Sequence, residues 1–408
     1  MNQATHAQRT AEHLARESYG RLLALLAPRA RDISGAEDAL ADALVAALRQ
    51  WPEQGVPANP EAWLLTVARR KQIDSARRRT AAQAAQEHLA TMAEEFQQGG
   101  GGNATFPDRR LALMLVCTHP QIDPALRTPL MLQILLGLTA TEIAAAYLVP
   151  PATMAQRLVR AKARIKELGL GFEEPDPETL AERLPAVLDA IYAAFTRGWI
   201  GRKGHAEEAI WLAQCVVSLV PDSPEAKGLL ALMLYLHARQ DARRGPQGEY
   251  VPLDEQDVSQ WDHEAINAAE ALLHAANRSG PSGRYQIEAA IQSVHCSRRN
   301  GEAPNWQTIA SLYDLLFALL PSPVVRLNRA LARSHVEGAP RALEEVVALE
   351  QDPRIESYQP YWAGRAQLAA EAGKREMAME AYEVAAGLAQ DPAVRAYLMR
   401  RRKRLLDG

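Results

Sequence analysis

Helix-forming residues run through this chain almost without interruption, and that property limits its fold more than any other. Ala, Leu, Glu, Arg and Gln dominate, while period-two runs of Val, Ile and Thr, the mark of strands, are missing. An all-α architecture is expected. At 408 residues the chain exceeds what one hydrophobic core holds, so it should divide into domains. Two breaks place the divisions. Thr91–Pro107 contains Gly99, Gly100, Gly101 and Gly102 in a row, then Asn103 and Pro107, which is linker chemistry. Gly169–Pro177 supplies the second. The expected partition is a helical domain over 1–90, a flexible linker over 91–107, a second helical domain over 108–170, and a long helical domain over 171–408.

The last domain repeats itself. Tyr361/Trp362, Ala366, Gly373, Ala378, Tyr382, Ala385 and Pro392 follow an order that Ala330, Gly338 and Leu343 begin 35–36 positions earlier. That is near the tetratricopeptide period, in which small residues let paired helices approach closely and Pro ends the second helix. A generic helical-hairpin domain is the alternative. Between Leu229 and Arg284 the period is lost, so the array is expected to be irregular there.

Charge is unevenly spread. Residues 1–172 hold 20 Lys+Arg against 16 Asp+Glu, and the remainder holds 26 against 33. A basic front joined to an acidic rear suggests different partners for each, and an intramolecular contact between the two. Cys117, Cys215 and Cys296 are odd in number and widely spaced, which argues against a disulfide framework or a structural zinc site. The longest strongly apolar stretch, near Pro129–Leu138, falls well short of the ~18–20 residues of a membrane helix. Met1–Thr10 lacks the apolar core of a secretory signal. A cytoplasmic protein with no membrane partner is expected.

Two segments carry the chemistry. The first, Asn59–Arg79, reads NPEAWLLTVARRKQIDSARRR. Asn59 can cap a helix, Pro60 suits its first turn and Glu61 complements its dipole. Trp63, Val67, Ala68 and Ile73 lie close to one face. Arg69, Arg70, Lys71, Arg77, Arg78 and Arg79 supply positive charge relieved only by Asp74. An aromatic-led basic helix suits a nucleic-acid backbone, with the indole available to stack on a base. The plain alternative is a solvated polar face with Trp63 in the core. Upstream, Ala36–Pro52 puts Leu40, Leu44, Ala47, Leu48 and Trp51 on an apolar stripe expected in the core. Its acids Glu37, Asp38 and Asp42 compensate the dipole or offer a docking face.

The second segment is Leu138–Lys166. Thr139 or Thr141 can cap a short helix over Glu142–Tyr147. Leu148–Pro151 forms a turn, and a second helix begins with proline. In it Met154, Leu158, Ala161 and Ile165 face inward. Thr153, Gln156, Arg157, Arg160, Lys162, Arg164 and Lys166 remain outside. A short helix, a tight turn and a basic second helix present side chains to the DNA major groove. The first turn of the second helix would read bases and the later cations would hold phosphates. A plain αα-hairpin is the alternative.

Taken together and in this order, the two segments resemble the small extracytoplasmic-function sigma factors of the bacterial sigma-70 family. AEDALADALVAALRQWP resembles region 2.1–2.2, PEAWLLTVARRKQIDSARRR region 2.3–2.4, and TATEIAAAYLVPPATMAQRLVRAKARI region 4.2. The likeness covers residues 10–170, and the C-terminal domain resembles the tetratricopeptide-type extension of one subgroup. Arg70 stands where that family often has Asn, and Pro150–Pro151 replaces its usual turn. The resemblance implies core RNA polymerase and promoter DNA as partners. Glu37, Asp38 and Asp42 would dock on the β′ clamp helices, with the β subunit a further contact. Trp63 to Arg79 would engage the −10 element, and Thr153, Gln156, Arg157, Arg160 and Lys162 the −35 element. No cofactor, metal or catalytic residue is implied. A tetratricopeptide scaffold binding operators without polymerase is the competing function, and a hidden hydrolase or transferase a third.

Nothing else in the sequence carries chemistry. Phosphate-loop and nucleophile-elbow motifs are missing. His263–Glu264 begins like a zinc-protease motif, but Asn267 stands where the second histidine belongs. Cys117 and His119 lack further ligands, and Asp254, Glu255 and Asp257 lack the spacing of a calcium loop. Trp261, Trp306 and Trp362 are expected as packing anchors.

Overall fold

A computed structural model describes residues 3–30, 32–79, 109–147, 149–172, 176–201, 205–280, 282–352 and 355–407. Among these residues there are nineteen α-helices and no strand, apart from an isolated bridge between Arg244 and Tyr250, so the chain is all-α as expected. The linker Thr91–Pro107 lies outside the described residues. The chain forms two compact units, Met1–Cys215 and Val216–Gly408.

The first unit opens with α1 (Gln3–Glu17), α2 (Tyr19–Ala30), α3 (Ile33–Gln54) and α4 (Pro60–Arg79). Local chemistry sets their starts. Asp32 accepts the Gly35 amide at 3.1 Å ahead of α3, and Asn59 accepts the Ala62 amide at 3.0 Å ahead of α4. The leucines of α2, Leu22, Leu23, Leu25 and Leu26, are all buried. A helix apolar all round needs partners on every side. It has them: α3 and α4 on one side, and α5 (Arg110–Cys117) and α6 (Pro124–Leu136) on the other. Gly20 marks the closest approach. A Cβ there would sit 2.1 Å from the Leu135 carbonyl oxygen, so only glycine lets α2 lie against the end of α6.

Next come α7 (Ala140–Tyr147), α8 (Pro151–Glu167), α9 (Pro177–Gly201) and α10 (His205–Leu219). Helix α9 follows the expected boundary at 170, yet it packs on α6 and α5 within the first unit.

The second unit strings together α11 (Pro224–His237), α12 (His263–Asn277), α13 (Arg284–Cys296), α14 (Trp306–Leu319), α15 (Pro323–Glu337), α16 (Ala339–Val347), α17 (Gln359–Glu371), α18 (Arg375–Leu388) and α19 (Pro392–Asp407). Successive helices pack on one another from α11 to α19. Buried alanines 366, 369, 378, 381 and 385 bring α17 and α18 close together, the role small residues were expected to play. Gly338 and Gly373 sit at the two turns that the repeat pattern aligns. The period fails between Leu229 and Arg284 for a visible reason. Residues 238–262 form short 3₁₀ turns instead of a hairpin, held by Arg298 donating to the carbonyls of Leu253, Asp254 and Gln256. Gly228 compensates. Its missing Cβ, which would meet the Gln286 amide nitrogen at 2.7 Å, lets α11 press directly onto α13.

Candidate nucleic-acid interface

A short connection joins helices α7 and α8. Thr139, one of two expected caps, accepts the Glu142 amide at 3.2 Å while the Glu142 carboxylate accepts the Thr139 amide at 2.8 Å. The turn closes through Val149 donating to the Ala144 carbonyl at 3.1 Å, and Pro151 opens α8. Met154, Leu158, Ala161 and Ile165 are buried, as their spacing predicted. The opposite face is set by the 100° step between residues. It carries Ala152, Gln156, Val159 and Ala163, all exposed, with Arg160 on one edge and Arg157 and half-buried Thr153 further round. Among the described residues nothing pairs with Gln156, Arg157 or Arg160. Val159 is 63% exposed, although valine by itself signals a core position and so gives no hint of a surface role.

Lys162 and Lys166 behave differently. Lys162 Nζ lies 2.6 Å from Glu37 Oε2 on α3, with side-chain exposures of 10% and 17%, and Lys166 Nζ lies 2.5 Å from Asp32 Oδ2. A residue expected at a phosphate and one expected at the polymerase thus hold each other. Burial raises the Glu37 carboxyl above its ordinary range, and the Lys162 ammonium opposes that shift. Arg164 reaches Gln121 Oε1 at 3.3 Å and Glu167 at 3.6 Å.

On α4, the buried stripe is Leu64, Leu65 and Ala68. Trp63, Val67 and Ile73 are half-buried, and α4 packs against both α2 and α3. The Trp63 ring meets buried Trp51 edge-on, centroids 5.4 Å apart. Glu61 does more than complement the dipole: it accepts from the Ser18 hydroxyl at 2.5 Å and pairs with Arg21. Arg69 is half-buried and Arg70 exposed, and Lys71 faces Asp42 across 3.5 Å. Arg77, Arg78 and Arg79 stand in the last turn of α4, and their side chains lie outside the described residues.

Helix α3 also corrects the sequence. Leu48, placed in the core by its stripe, is 47% exposed, and Val45 is 46% exposed. Both lie along the face that carries Asp38 and Asp42, which are exposed too. An acidic helix face with uncovered apolar side chains suits a protein partner.

Two stretches of the chain match described families. Residues 14–82 match sigma-70 region 2, and residues 183–277 match a family of unknown function (DUF6596). The first stretch contains α2, α3 and α4, and α8 lies between the two. The chain is 37% identical over 379 residues to an uncharacterized protein of Rhizobium meliloti, covering 90% of this chain and 89% of that one. No solved structure matches.

Proposed function

We propose, for a chain that belongs to the sigma-70 family through its first domain and to one family with the Rhizobium meliloti protein along most of its length, that it is an extracytoplasmic-function sigma factor. The observation that carries this is the sigma-70 region 2 match over residues 14–82, which implies core RNA polymerase and promoter DNA as partners. The exposed helix α8, held behind a capped turn, supports it. In this reading Asp38, Asp42, Val45 and Leu48 dock α3 on the β′ clamp helices, joined by Glu37 once it parts from Lys162. Helix α4 engages the −10 element. Trp63 sits beside an unstacked base, and Arg69, Arg70, Lys71 and Arg77–Arg79 grip its backbone, offsetting the few kcal/mol that unstacking costs. On α8, Gln156 and Arg160 read the −35 element, with Thr153, Arg157 and Lys162 on phosphates. The second unit is a tetratricopeptide-type extension that regulates or stabilises the factor in the cytoplasm. No helix among the described residues is long and apolar enough to cross a membrane.

The test is direct. Full-length protein mixed with core polymerase on a library of promoter templates should give new start sites, with footprints at both elements. Duplex binding that needs no polymerase and yields no transcript would favour the operator-binding regulator and sink this assignment.

A further inference from the structure

The second unit contains a cleft of about 1090 Å3, large enough for a small organic molecule, walled by residues 252–258, the loop 301–304 and helices α13 to α15, α17 and α19. Its inner wall is aromatic. The Trp306 indole stacks on the His335 imidazole, centroids 3.6 Å apart and planes 8° from parallel, and His295 meets the same indole edge-on at 5.5 Å. Ile309, Leu331 and Tyr313 continue this surface.

Carboxylates outnumber cations at the mouth, with Asp254, Asp257, Glu302 and Glu371 set against Arg298 and Arg401. Asp254, Glu302 and Glu371 are exposed at the cleft, and Asp257 is turned onto Ser259 and Gln260. The two arginines that line it keep their charge, but their donors are turned onto neutral oxygens. Arg298 donates to three backbone carbonyls, and Arg401 is bound to the Tyr382 hydroxyl. The imidazoles add no charge near neutral pH. Burial, with Arg239, Arg298 and His335 behind it, pushes His295 down to about 4, and burial lowers His335 as well, against the pull of Glu371 and Asp254. Neither His295 nor Tyr313 has a hydrogen-bond partner among the described residues, although both line the cleft.

We propose that this cleft binds an organic cation, an ammonium or guanidinium group carried on an apolar, ring-bearing body. The ring lies along the Trp306 wall in aromatic contact. The charged end reaches the carboxylates of Glu302 and Glu371. An anion of the same shape meets an excess of carboxylates over cations. This site is independent of the sigma reading and gives the C-terminal unit a ligand of its own.

Titration of the full-length protein with benzyltrimethylammonium and with benzylguanidine tests it, read by tryptophan quenching and by the rise in unfolding temperature. Such fragments should saturate at a Kd on the order of 1 mM. Benzoate and benzyl alcohol should bind about tenfold more weakly or not at all. The double variant Glu302→Gln, Glu371→Gln alters two exposed positions and should keep its circular dichroism while losing about tenfold in affinity for both cations. Benzoate binding as well as the cations do, cation binding unchanged in the double variant, or no saturation by either cation would each overturn the assignment.

Discussion

Single residues whose surroundings defeat their ordinary chemistry give the sharpest tests. His295 titrates near 6.5 in an unfolded chain and at about 4 in the folded one. As pH falls the unfolded imidazole therefore takes its proton first. The stability this group contributes is complete above about 6.5 and is lost as pH drops toward 4, a change of roughly 3 kcal/mol across that window. Urea unfolding at pH 7 and pH 4.5 should show the loss in the wild type, and a smaller one in His295→Gln, which stays neutral throughout. An equal loss in both would place the acid sensitivity elsewhere. On α8, Arg160→Ala should weaken binding to a promoter that needs its −35 element by about 1–3 kcal/mol, measured as open-complex occupancy. Val159 shows why such sites are only half legible. The run of cations on α8 could be read from the sequence, but the outward turn of a valine between them depends on where its neighbours stop.

At the scale of elements, what could be read was local and what could not was set by neighbours. Asn59 and Thr139 cap helices as their sequences imply, because a cap needs only the next three residues, and Ser223 and Ser322 do the same ahead of Pro224 and Pro323. Replacing Asn59 with Ala should cost about 1 kcal/mol of thermal or urea stability in the first unit. Burial along α3 is a different matter. Helix α3 packs against α1, α2 and α4, which leaves Leu40, Ala47 and Trp51 buried but Leu48 exposed, and periodicity alone assigns all four to the core. That difference predicts opposite outcomes for one kind of substitution. Leu48→Asp should change unfolding by no more than about 0.5 kcal/mol, since the side chain already stands exposed. It should nevertheless reduce recovery of core polymerase in a pull-down, because a new charge would be set into the apolar part of the proposed docking face. A large loss of stability with full polymerase binding would reverse both roles.

On the scale of the whole chain, linker chemistry at Gly99–Gly102 led to an expectation of two independent domains before residue 171. The structure brings them together within one compact unit. No pattern announces this contact, because its parts lie far apart in sequence: Gly20 against Leu135, Glu37 against Lys162, Asp32 against Lys166. The contact conflicts with the work proposed for the two domains. Elements centred at −10 and −35 lie about 25 base pairs apart, roughly 80 Å of duplex at 3.4 Å per step. A chain whose α8 is bonded to α3 does not span that distance, while the stretch from Arg79 to Arg110 reaches roughly 100 Å when extended. Promoter engagement therefore requires the Lys162–Glu37 pair to part. Carbodiimide coupling should join these side chains in the free protein, and mass spectrometry should find that link largely gone in the polymerase–promoter complex. Gly20→Ala provides the complementary test. Alanine raises helix propensity by about 1 kcal/mol, so α2 itself should not suffer, but the added methyl has no room beneath the Leu135 carbonyl. The variant should keep its helical content, lose the Lys162–Glu37 link without any partner present, and bind core polymerase more tightly than the wild type. If the link persists at full strength in the promoter-bound complex, the two domains do not separate to read their elements, and the assignment of α8 to the −35 element fails with it.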